Sequence, residues 1–180
     1  RLGDVERLLD TLDVRNSVFV GLSIGGLIAQ GLTVKRLDQV RAMVLSNTAA
    51  RIGTAETWET RIASVRSGGM EAIADATMER WFARAVRTTP EAQAMRDLLL
   101  QCRPDGYVGC AAAIAGTDFY ETTATLTLPT LSSAGSEDGS TPPDLVRETA
   151  ALVRGSRFQL IRGAGHLPCV DRPADYAAAL

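Results

Sequence analysis

The chain has 180 residues, 46% hydrophobic and 22% charged, which is enough to bury the core of one domain plus a small insertion. A net charge of −2 argues against nucleic acid as a partner, and no apolar run reaches the roughly 18 residues of a membrane span. Three scattered cysteines predict reduced thiols in a cytoplasmic protein, and the single histidine excludes a multi-histidine metal site.

The first 53 residues alternate between helical and strand patterns. Apolar residues at helical spacing predict one helix over residues 2–12 and another over 24–32. Two β-favouring runs, at 17–20 and 41–46, predict strands, the second buried on both faces. Such alternation implies parallel strands joined by crossover connections. Because the chain begins inside a helical pattern and without methionine, we expect it to be a fragment of a longer chain.

Residues 54–125 carry a helical pattern without any strand-like run, which predicts a helical lid inserted between two strands. The predicted lid helices span 56–65, 70–85, 91–100 and 107–115, with turns at 68–69, 89–90 and 104–106. Residues 126–180 return to the core pattern, with strands over 129–134 and 157–161, a helix over 143–153 and a terminal helix from Pro173. We therefore expect a core of residues 1–53 and 126–180, interrupted by the lid.

Two polar residues, Ser132 and Ser133, interrupt a strand that should be apolar if it lies at the centre of the sheet. A buried hydroxyl costs free energy unless it finds a hydrogen-bond partner. We therefore expect both hydroxyls either to find buried partners or to lower the stability of this strand.

A Gly-x-Ser-x-Gly sequence occupies residues 21–25, between the first predicted strand and the helix that follows it. This is the pattern of a nucleophile elbow, in which a sharp turn lifts the serine hydroxyl clear of the sheet. We predict Ser23 as the nucleophile, with glycines at both ends of the motif so that their backbones can approach each other. The amide of Ile24 should donate to a developing oxyanion. The alternative is a glycine-rich turn that holds an incidental serine.

His166 is the single histidine and follows the last predicted strand. Asp138 follows the strand before it and can hold the imidazole tautomer by accepting a hydrogen bond from Nδ1. The order serine, acid, histidine is that of the α/β-hydrolases. Glu137 is the main competitor for the acid, whereas Asp144 and Asp171 are better explained as helix-end residues.

Six segments of the chain together resemble the 3-oxoadipate enol-lactonases, and the resemblance covers almost the whole sequence. The segments are residues 20–26, 43–49, 79–82, 106–114, 135–138 and 165–168. The elbow and histidine segments are general to the α/β-hydrolases, whereas Ser-Asn-Thr and Arg-Trp-Phe point to this group. The resemblance implies an α/β-hydrolase fold, a mostly parallel sheet flanked by helices, with the nucleophile at Ser23, the acid at Asp138 and the base at His166.

The resemblance also implies the reaction. Ser23 attacks the carbonyl of an enol-lactone while His166 takes its proton, and water then releases 3-oxoadipate from the acyl-enzyme during the degradation of aromatic compounds. The partner is a small-molecule lactone, and no metal ion or organic cofactor is expected. Family members have further strands before the elbow and a His-Gly loop that supplies a second oxyanion amide. Nothing in this sequence corresponds to either, so we expect a sheet without those N-terminal strands.

A carboxylate on the substrate requires a cationic or donor-rich partner. The candidates are the lid arginines Arg80, Arg84 and Arg87, of which Arg80 and Arg84 share a helical face by their i,i+4 spacing. The alternative is a solvated basic face. Trp81 is predicted either to line the cleft or to pack the lid onto the core. Further candidates for the pocket are Tyr107, Asp118 and Trp58.

Two other functions fit the same residues. A carboxylesterase of different specificity would share the serine, aspartate and histidine and differ only in the lid. An incomplete hydrolase domain, part of a larger polypeptide, would keep these residues without activity. The sequence leaves the oligomeric state open.

Overall fold

The computed structural model describes residues 2–180. Within this range four strands form one parallel sheet in the order β1-β2-β3-β4. The strands are β1 at Ser17–Leu22, β2 at Val40–Ser46, β3 at Thr130–Gly135 and β4 at Arg157–Ile161. Each strand pairs with its neighbour in sequence, and every connection crosses over through helices. The predicted parallel α/β architecture is confirmed.

Helices cover the sheet, and five of them lie between β2 and β3, in the segment for which we keep the name lid. Helix α1 at Leu2–Thr11 precedes β1, and α2 at Ile24–Lys35 follows it. The segment between β2 and β3 holds α3 at Ala55–Gly68, α4 at Glu71–Trp81, α5 at Pro90–Leu100, α6 at Pro104–Ala115 and α7 at Tyr120–Ala124. The last part of the chain holds α8 at Pro143–Leu152, α9 at Pro168–Asp171 and α10 at Pro173–Ala179. Within residues 2–180, no helix combines the length and the apolarity needed to cross a bilayer.

In the central strand β2, Met43 and Leu45 are almost fully shielded from solvent. These side chains pack with Ala29 of α2 and with Leu126 and Val153. A second apolar cluster joins the lid to the core. Its buried members are Leu27, Ala49, Ile52, Trp58, Ala111 and Ile114. Because lid and core share this cluster, the lid is packed directly over the helix that follows the elbow.

Several helix boundaries differ from the sequence predictions; α2 and α3, for example, continue to Lys35 and Gly68. Two of the differences have a clear physical reason. Helix α4 ends at Trp81 rather than at residue 85, because Phe82 is extended, with φ −118° and ψ 139°. Helix α6 begins at Pro104, inside a segment predicted as a turn. Proline is favoured at the first helical position, where its fixed φ fits and its missing N–H is not needed. The short helices α7 and α9 were not predicted.

Ser132 and Ser133 are fully buried in β3. Neither hydroxyl forms a hydrogen bond to another residue within 2–180. The expected buried partners are therefore not found within the described residues. The two hydroxyls add no protein hydrogen bond to the stability of β3.

Candidate active site

The fold gathers polar residues at one edge of the sheet, where the strands end. Ser23 directly follows β1 and Asn47 directly follows β2. Asp138 lies in the loop after β3, and His166 lies in the loop after β4. Because all four strands are parallel, their carboxyl ends meet at the same edge, which is where open α/β sheets bind ligands.

Ser23 occupies a strained backbone conformation at the turn between β1 and α2, with φ 54° and ψ −120°. A positive φ is costly for a residue other than glycine and persists only where the surroundings hold it. The Ser23 amide donates to the Ser46 carbonyl at 3.0 Å, and the Thr48 hydroxyl donates to the Ser23 carbonyl at 2.7 Å. The end of β2 thus holds the elbow in its strained shape.

The glycines of the elbow have different roles. A Cβ at Gly21 would collide with the backbone of Gly25, and a Cβ at Gly26 would collide with the side chain of Thr48. A Cβ at Gly25 would meet no atom within 4 Å. The expectation that both ends of the motif must be glycine for clearance is therefore wrong at Gly25 and correct at Gly21.

A continuous chain of hydrogen bonds links the serine, the histidine and the aspartate. Ser23 Oγ lies 2.9 Å from His166 Nε2, and His166 Nδ1 lies 2.8 Å from Asp138 Oδ2. A carboxylate can only accept, so Nδ1 carries a proton and donates to Asp138. Nε2 is then the acceptor for the Ser23 hydroxyl in the neutral ring. His166 and Asp138 are 3% and 4% exposed, so their hydrogen bond is shielded from water, whereas Ser23 is half-buried.

Asp138 is held by several donors besides His166. Its Oδ1 accepts from the amides of Ser140 and Thr141 at 2.7 and 3.0 Å. Its Oδ2 also accepts from Asn47 Nδ2 at 2.9 Å and from the Thr141 hydroxyl at 2.7 Å. Burial alone would raise the pKa of Asp138, but the bond to His166 and the other donors outweigh it and lower the pKa below its ordinary value. Asp138 is therefore held as a carboxylate beside the imidazole.

The competing carboxylates make other contacts. Glu137 Oε2 accepts from the backbone amide of Arg84 at 3.1 Å, just beyond the end of α4. Asp144 lies in the first turn of α8, as its helix-end interpretation requires. Among the described residues, the carboxylate in contact with His166 is that of Asp138.

Asp171 has a larger part in the fold than a helix-end residue. It is 8% exposed, and its Oδ2 accepts from the amides of Gly165 and Ala83 at 2.5 and 3.3 Å. Burial raises the pKa of this carboxyl, and the two amide donors oppose that shift. One side chain thus joins the loop before His166 to the segment that follows α4.

The end of α4 is bonded through backbone atoms to the loops that carry His166 and Asp138. The amide of His166 donates to the Trp81 carbonyl at 2.7 Å, and the amide of Gly139 donates to the Arg80 carbonyl at 3.0 Å. A Cβ at Gly165 would collide with the Trp81 carbonyl, so glycine allows this close approach. The position of α4 is therefore fixed relative to His166 and to the loop that carries Asp138.

A cavity of about 210 Å³ lies between the elbow and the lid. This volume is below the about 300–1,000 Å³ of typical drug-sized sites, so the cavity suits a small molecule. Ser23, Ile24 and His166 contribute the core side of its lining. The lid contributes Thr57, Trp58, Arg61, Thr77, Arg80, Trp81, Tyr107, Cys110, Ala111 and Ile114. The cavity thus gives a substrate direct access to the Ser23–His166 pair.

The structure divides the predicted binding residues into two groups. Arg80, Trp81, Tyr107 and Trp58 line the cavity. Arg84 does not, and it is exposed beyond the end of α4. The prediction that Arg80 and Arg84 share a helical face is wrong, because the helix ends between them.

The two remaining candidates are used elsewhere. Arg87 donates to the carbonyls of Phe82 and Glu79 at 3.1 and 2.7 Å, which ties down the segment after α4. Asp118 pairs with Arg51 at 3.2 Å on the surface. Neither lines the cavity beside Ser23.

Sequence reasoning missed several residues of the site, three of which hold Asp138 or bring charge to the cavity. Asn47 and Thr141 hold Asp138, and Arg61 lines the cavity. Asn47 could have been found, because it follows a strand directly and a polar residue at that point faces the ligand edge. Arg61 gave no signal beyond its i,i+3 spacing from Trp58 on one helix. Within residues 2–180, no three His, Cys, Asp or Glu side chains converge as a metal site would require.

Comparisons with known proteins show the family and the fold of the chain. Residues 1–179 match the model of the alpha/beta hydrolase family. The 3-oxoadipate enol-lactonase 2 of Acinetobacter baylyi is 34% identical over 179 residues, which are 98% of this chain and 67% of that protein. The enol-lactonase from Burkholderia xenovorans has a TM-score of 0.93 at 34% identity, covering 98% of this chain and 68% of its own.

An esterase is also structurally similar. The thermophilic esterase from Thermogutta terrifontis, solved with malate bound, has a TM-score of 0.90 at 29% identity. The alignment covers 99% of this chain and 68% of the esterase. The chain therefore spans about two thirds of the length of these relatives.

Proposed function

Because the chain belongs to the alpha/beta hydrolase family, we propose that it opens a lactone ring by serine-dependent hydrolysis of the ester bond. The observation that carries the proposal is the hydrogen-bond chain from Ser23 through His166 to Asp138, at the floor of a small cavity. Residues 54–125 act as the lid that forms most of the rest of this cavity, and Ile52, Gly53 and Ser140 complete the lining. The substrate we propose is 3-oxoadipate enol-lactone, which is supported by the enol-lactonase relatives.

The first half of the reaction acylates Ser23. His166 Nε2 accepts the hydroxyl proton as Ser23 Oγ attacks the lactone carbonyl carbon, and Asp138 stabilises the imidazolium that forms. The tetrahedral intermediate collapses with cleavage of the ring C–O bond. The enol oxygen leaves with the proton from His166, and the enol tautomerises to the ketone.

The oxyanion of the intermediate needs donors that are in place before the reaction begins. The Ile24 amide is the first of α2, where a helix leaves its N–H groups without intrahelical partners. Its position next to Ser23 and the dipole of α2 both favour negative charge there. Ile24 is therefore the oxyanion donor that this chain supplies beside its nucleophile.

The second half of the reaction releases the product. Water enters the cavity, His166 removes its proton, and the hydroxide attacks the acyl carbon of the Ser23 ester. The C–O bond to Ser23 breaks, and Ser23 regains its proton from His166. The same cavity is lined by Arg80, Trp81 and Tyr107, and we assign these residues to substrate binding.

A carboxylesterase of other specificity is the second candidate. The structural similarity to the Thermogutta terrifontis esterase favours it, because the serine chemistry is the same for an open-chain ester and for a lactone. The two candidates differ in which acyl group fits the lid side of the cavity.

The test is a comparison of kcat/KM for 3-oxoadipate enol-lactone and for phenyl acetate in the full-length protein. We expect the lactone to be preferred by about 100-fold or more, because the lid contacts are made only by the fitted substrate. Ser67→Ala, which removes an exposed hydroxyl of α3, serves as the control and should keep this preference. The reverse ranking would support the carboxylesterase, and no turnover of either substrate would support an inactive hydrolase domain.

A further inference from the structure

Two arginines from different lid helices line the cavity that contains Ser23. Arg61 comes from α3 and Arg80 comes from α4. The residues that line this cavity include no Asp or Glu. Within the described part of the chain, neither arginine belongs to an ion pair. The cavity therefore holds two positive charges and no carboxylate in its lining, and Glu79, outside the lining, offsets the charge of Arg80 only in part, since the pKa of Arg80 is still lowered.

Arg80 has one buried hydrogen-bond donor, its Nε, without a partner among the described residues. One terminal nitrogen donates to the Thr77 hydroxyl at 3.0 Å, while its buried Nε has no hydrogen-bond partner within residues 2–180. Burial and the nearby charge of Arg61 both lower the pKa of Arg80 below its ordinary value, although a guanidinium stays protonated. A buried donor without a partner costs free energy that an anion would recover.

Arg61 is held in place by a tryptophan. Its guanidinium carbon lies 4.6 Å from the centre of the Trp58 ring, in a cation–π arrangement. Trp58 is buried, and its Nε1 donates to the Ile52 carbonyl at 2.6 Å. Gly53 has φ 69° beside this ring, and a Cβ there would lie 3.1 Å from Trp58 Nε1. The loop after β2 therefore fixes Trp58, and Trp58 fixes the guanidinium of Arg61.

Tyr107 completes the group. Burial raises the pKa of its hydroxyl, and the charges of Arg61 and Arg80 act against that shift. The phenol is therefore neutral near pH 7 and can still donate a hydrogen bond. Its lining position beside both arginines adds a third donor to the same part of the cavity.

We propose that Arg61 and Arg80 together bind a carboxylate on the substrate, so that the enzyme selects esters and lactones that carry a free carboxylate. A planar carboxylate matches the donor geometry of guanidinium groups and relieves the repulsion between the two cations. Trp58 acts as a positioning residue for Arg61. This specificity rests on the proposed hydrolysis at Ser23, although the binding of the anion itself needs no turnover.

The test measures binding in the Ser23→Ala background, so that no hydrolysis occurs. Monomethyl adipate and dimethyl adipate share an ester group and differ in one free carboxylate. Calorimetry should show the monoester binding about 10- to 100-fold more tightly than the diester. Arg61→Met should abolish most of this difference while leaving the affinity for the diester nearly unchanged, which also shows that the variant is folded.

Arg66→Met is the matched control, because Arg66 is an exposed residue of α3 outside this cavity. It should keep the preference for the monoester. Trp58→Leu should weaken monoester binding when Arg61 is present and have no further effect on the charge preference in Arg61→Met. With Ser23 restored, Arg61→Met should raise KM for the monoester more than it lowers kcat.

Equal affinities of the monoester and the diester for the Ser23→Ala protein would overturn the anion site. A preference that survives Arg61→Met unchanged would overturn the role of Arg61. Neither result depends on catalysis. Failure of the proposed function has a different signature, namely normal monoester binding together with no ester or lactone turnover when Ser23 is present.

Discussion

We assign Asp138 as the acid of the site because both of its carboxylate oxygens accept hydrogen bonds, one of them from His166. Five hydrogen bonds reach this carboxylate, from His166, Asn47, Ser140 and Thr141. Such a carboxylate keeps its negative charge and its orientation, which the imidazolium of the reaction requires. Glu137 is adjacent in sequence but bonds to the lid backbone instead.

Asp138→Asn should therefore lower kcat by about 10³- to 10⁴-fold, because an amide no longer favours the imidazole tautomer that Ser23 needs. Glu137→Gln is the matched control and should retain most of the activity, since its contact is with the amide of Arg84. Steady-state kinetics of both variants on one substrate make the comparison. If Glu137→Gln were the damaging change, the acid would be wrongly assigned.

The native protein and Asp138→Asn should also differ in how their stability depends on pH. The pKa of Asp138 is lowered in the folded chain, so its carboxylate stabilises the fold above the unfolded value of about 4. That contribution is lost as the pH falls below about 4 and through the lower folded pKa. The difference in unfolding free energy between the native protein and Asp138→Asn should therefore shrink as the pH falls from about 5 through the folded pKa of Asp138.

Single residues were predictable where a strand end marked them. Ser23, Asp138 and His166 each follow a strand pattern that the sequence shows, so their shared edge could be inferred from parallel pairing. Arg61 could not be inferred, since its meeting with Arg80 depends on how α3 packs against α4. The residues around Arg61 in sequence indicate only that α3 is a helix, and not which helix packs against it.

At the scale of elements, α4 ends where tertiary contacts take over from helix propensity. The sequence after Trp81 contains alanine and arginine, which favour continued helix. The amide of Ala83 instead donates to Asp171, and the Trp81 carbonyl accepts from His166. The helix boundary is thus set by residues far away in sequence, which local patterns do not report.

Asp171→Ala tests this junction between elements. The change leaves the amides of Gly165 and Ala83 without their acceptor, and each buried donor left unpaired costs about 1–3 kcal/mol. We expect a lower unfolding free energy, by about 1–3 kcal/mol after relaxation, and a lower kcat because the loop of His166 shifts. Chemical denaturation and steady-state kinetics measure the two effects.

Asp175→Ala is the control for that variant, because Asp175 is an exposed carboxylate of the neighbouring helix α10. It should change neither stability nor kcat measurably. Unchanged stability and kcat in Asp171→Ala as well would show that this carboxylate does not hold the junction.

At the scale of the whole molecule, the sheet and the lid supply different halves of one site. The carboxyl edge of the sheet supplies the proposed nucleophile and its proposed proton relay. The lid supplies the apolar walls and the two cations of the cavity. Reaction type therefore follows from the sheet, which the sequence pattern revealed. Substrate choice follows from how the lid helices pack, and the sequence pattern did not reveal that packing in full.

The central claim is that Ser23 is a nucleophile activated by His166, and covalent labelling tests it most directly. The full-length protein is incubated with an alkyl fluorophosphonate, and the adduct is located by peptide mass spectrometry. We predict one adduct, on Ser23, absent from Ser23→Ala and formed at least about 10³-fold more slowly in His166→Ala. An adduct on another residue, no adduct at all, or undiminished labelling of Ser23 in His166→Ala would contradict the account.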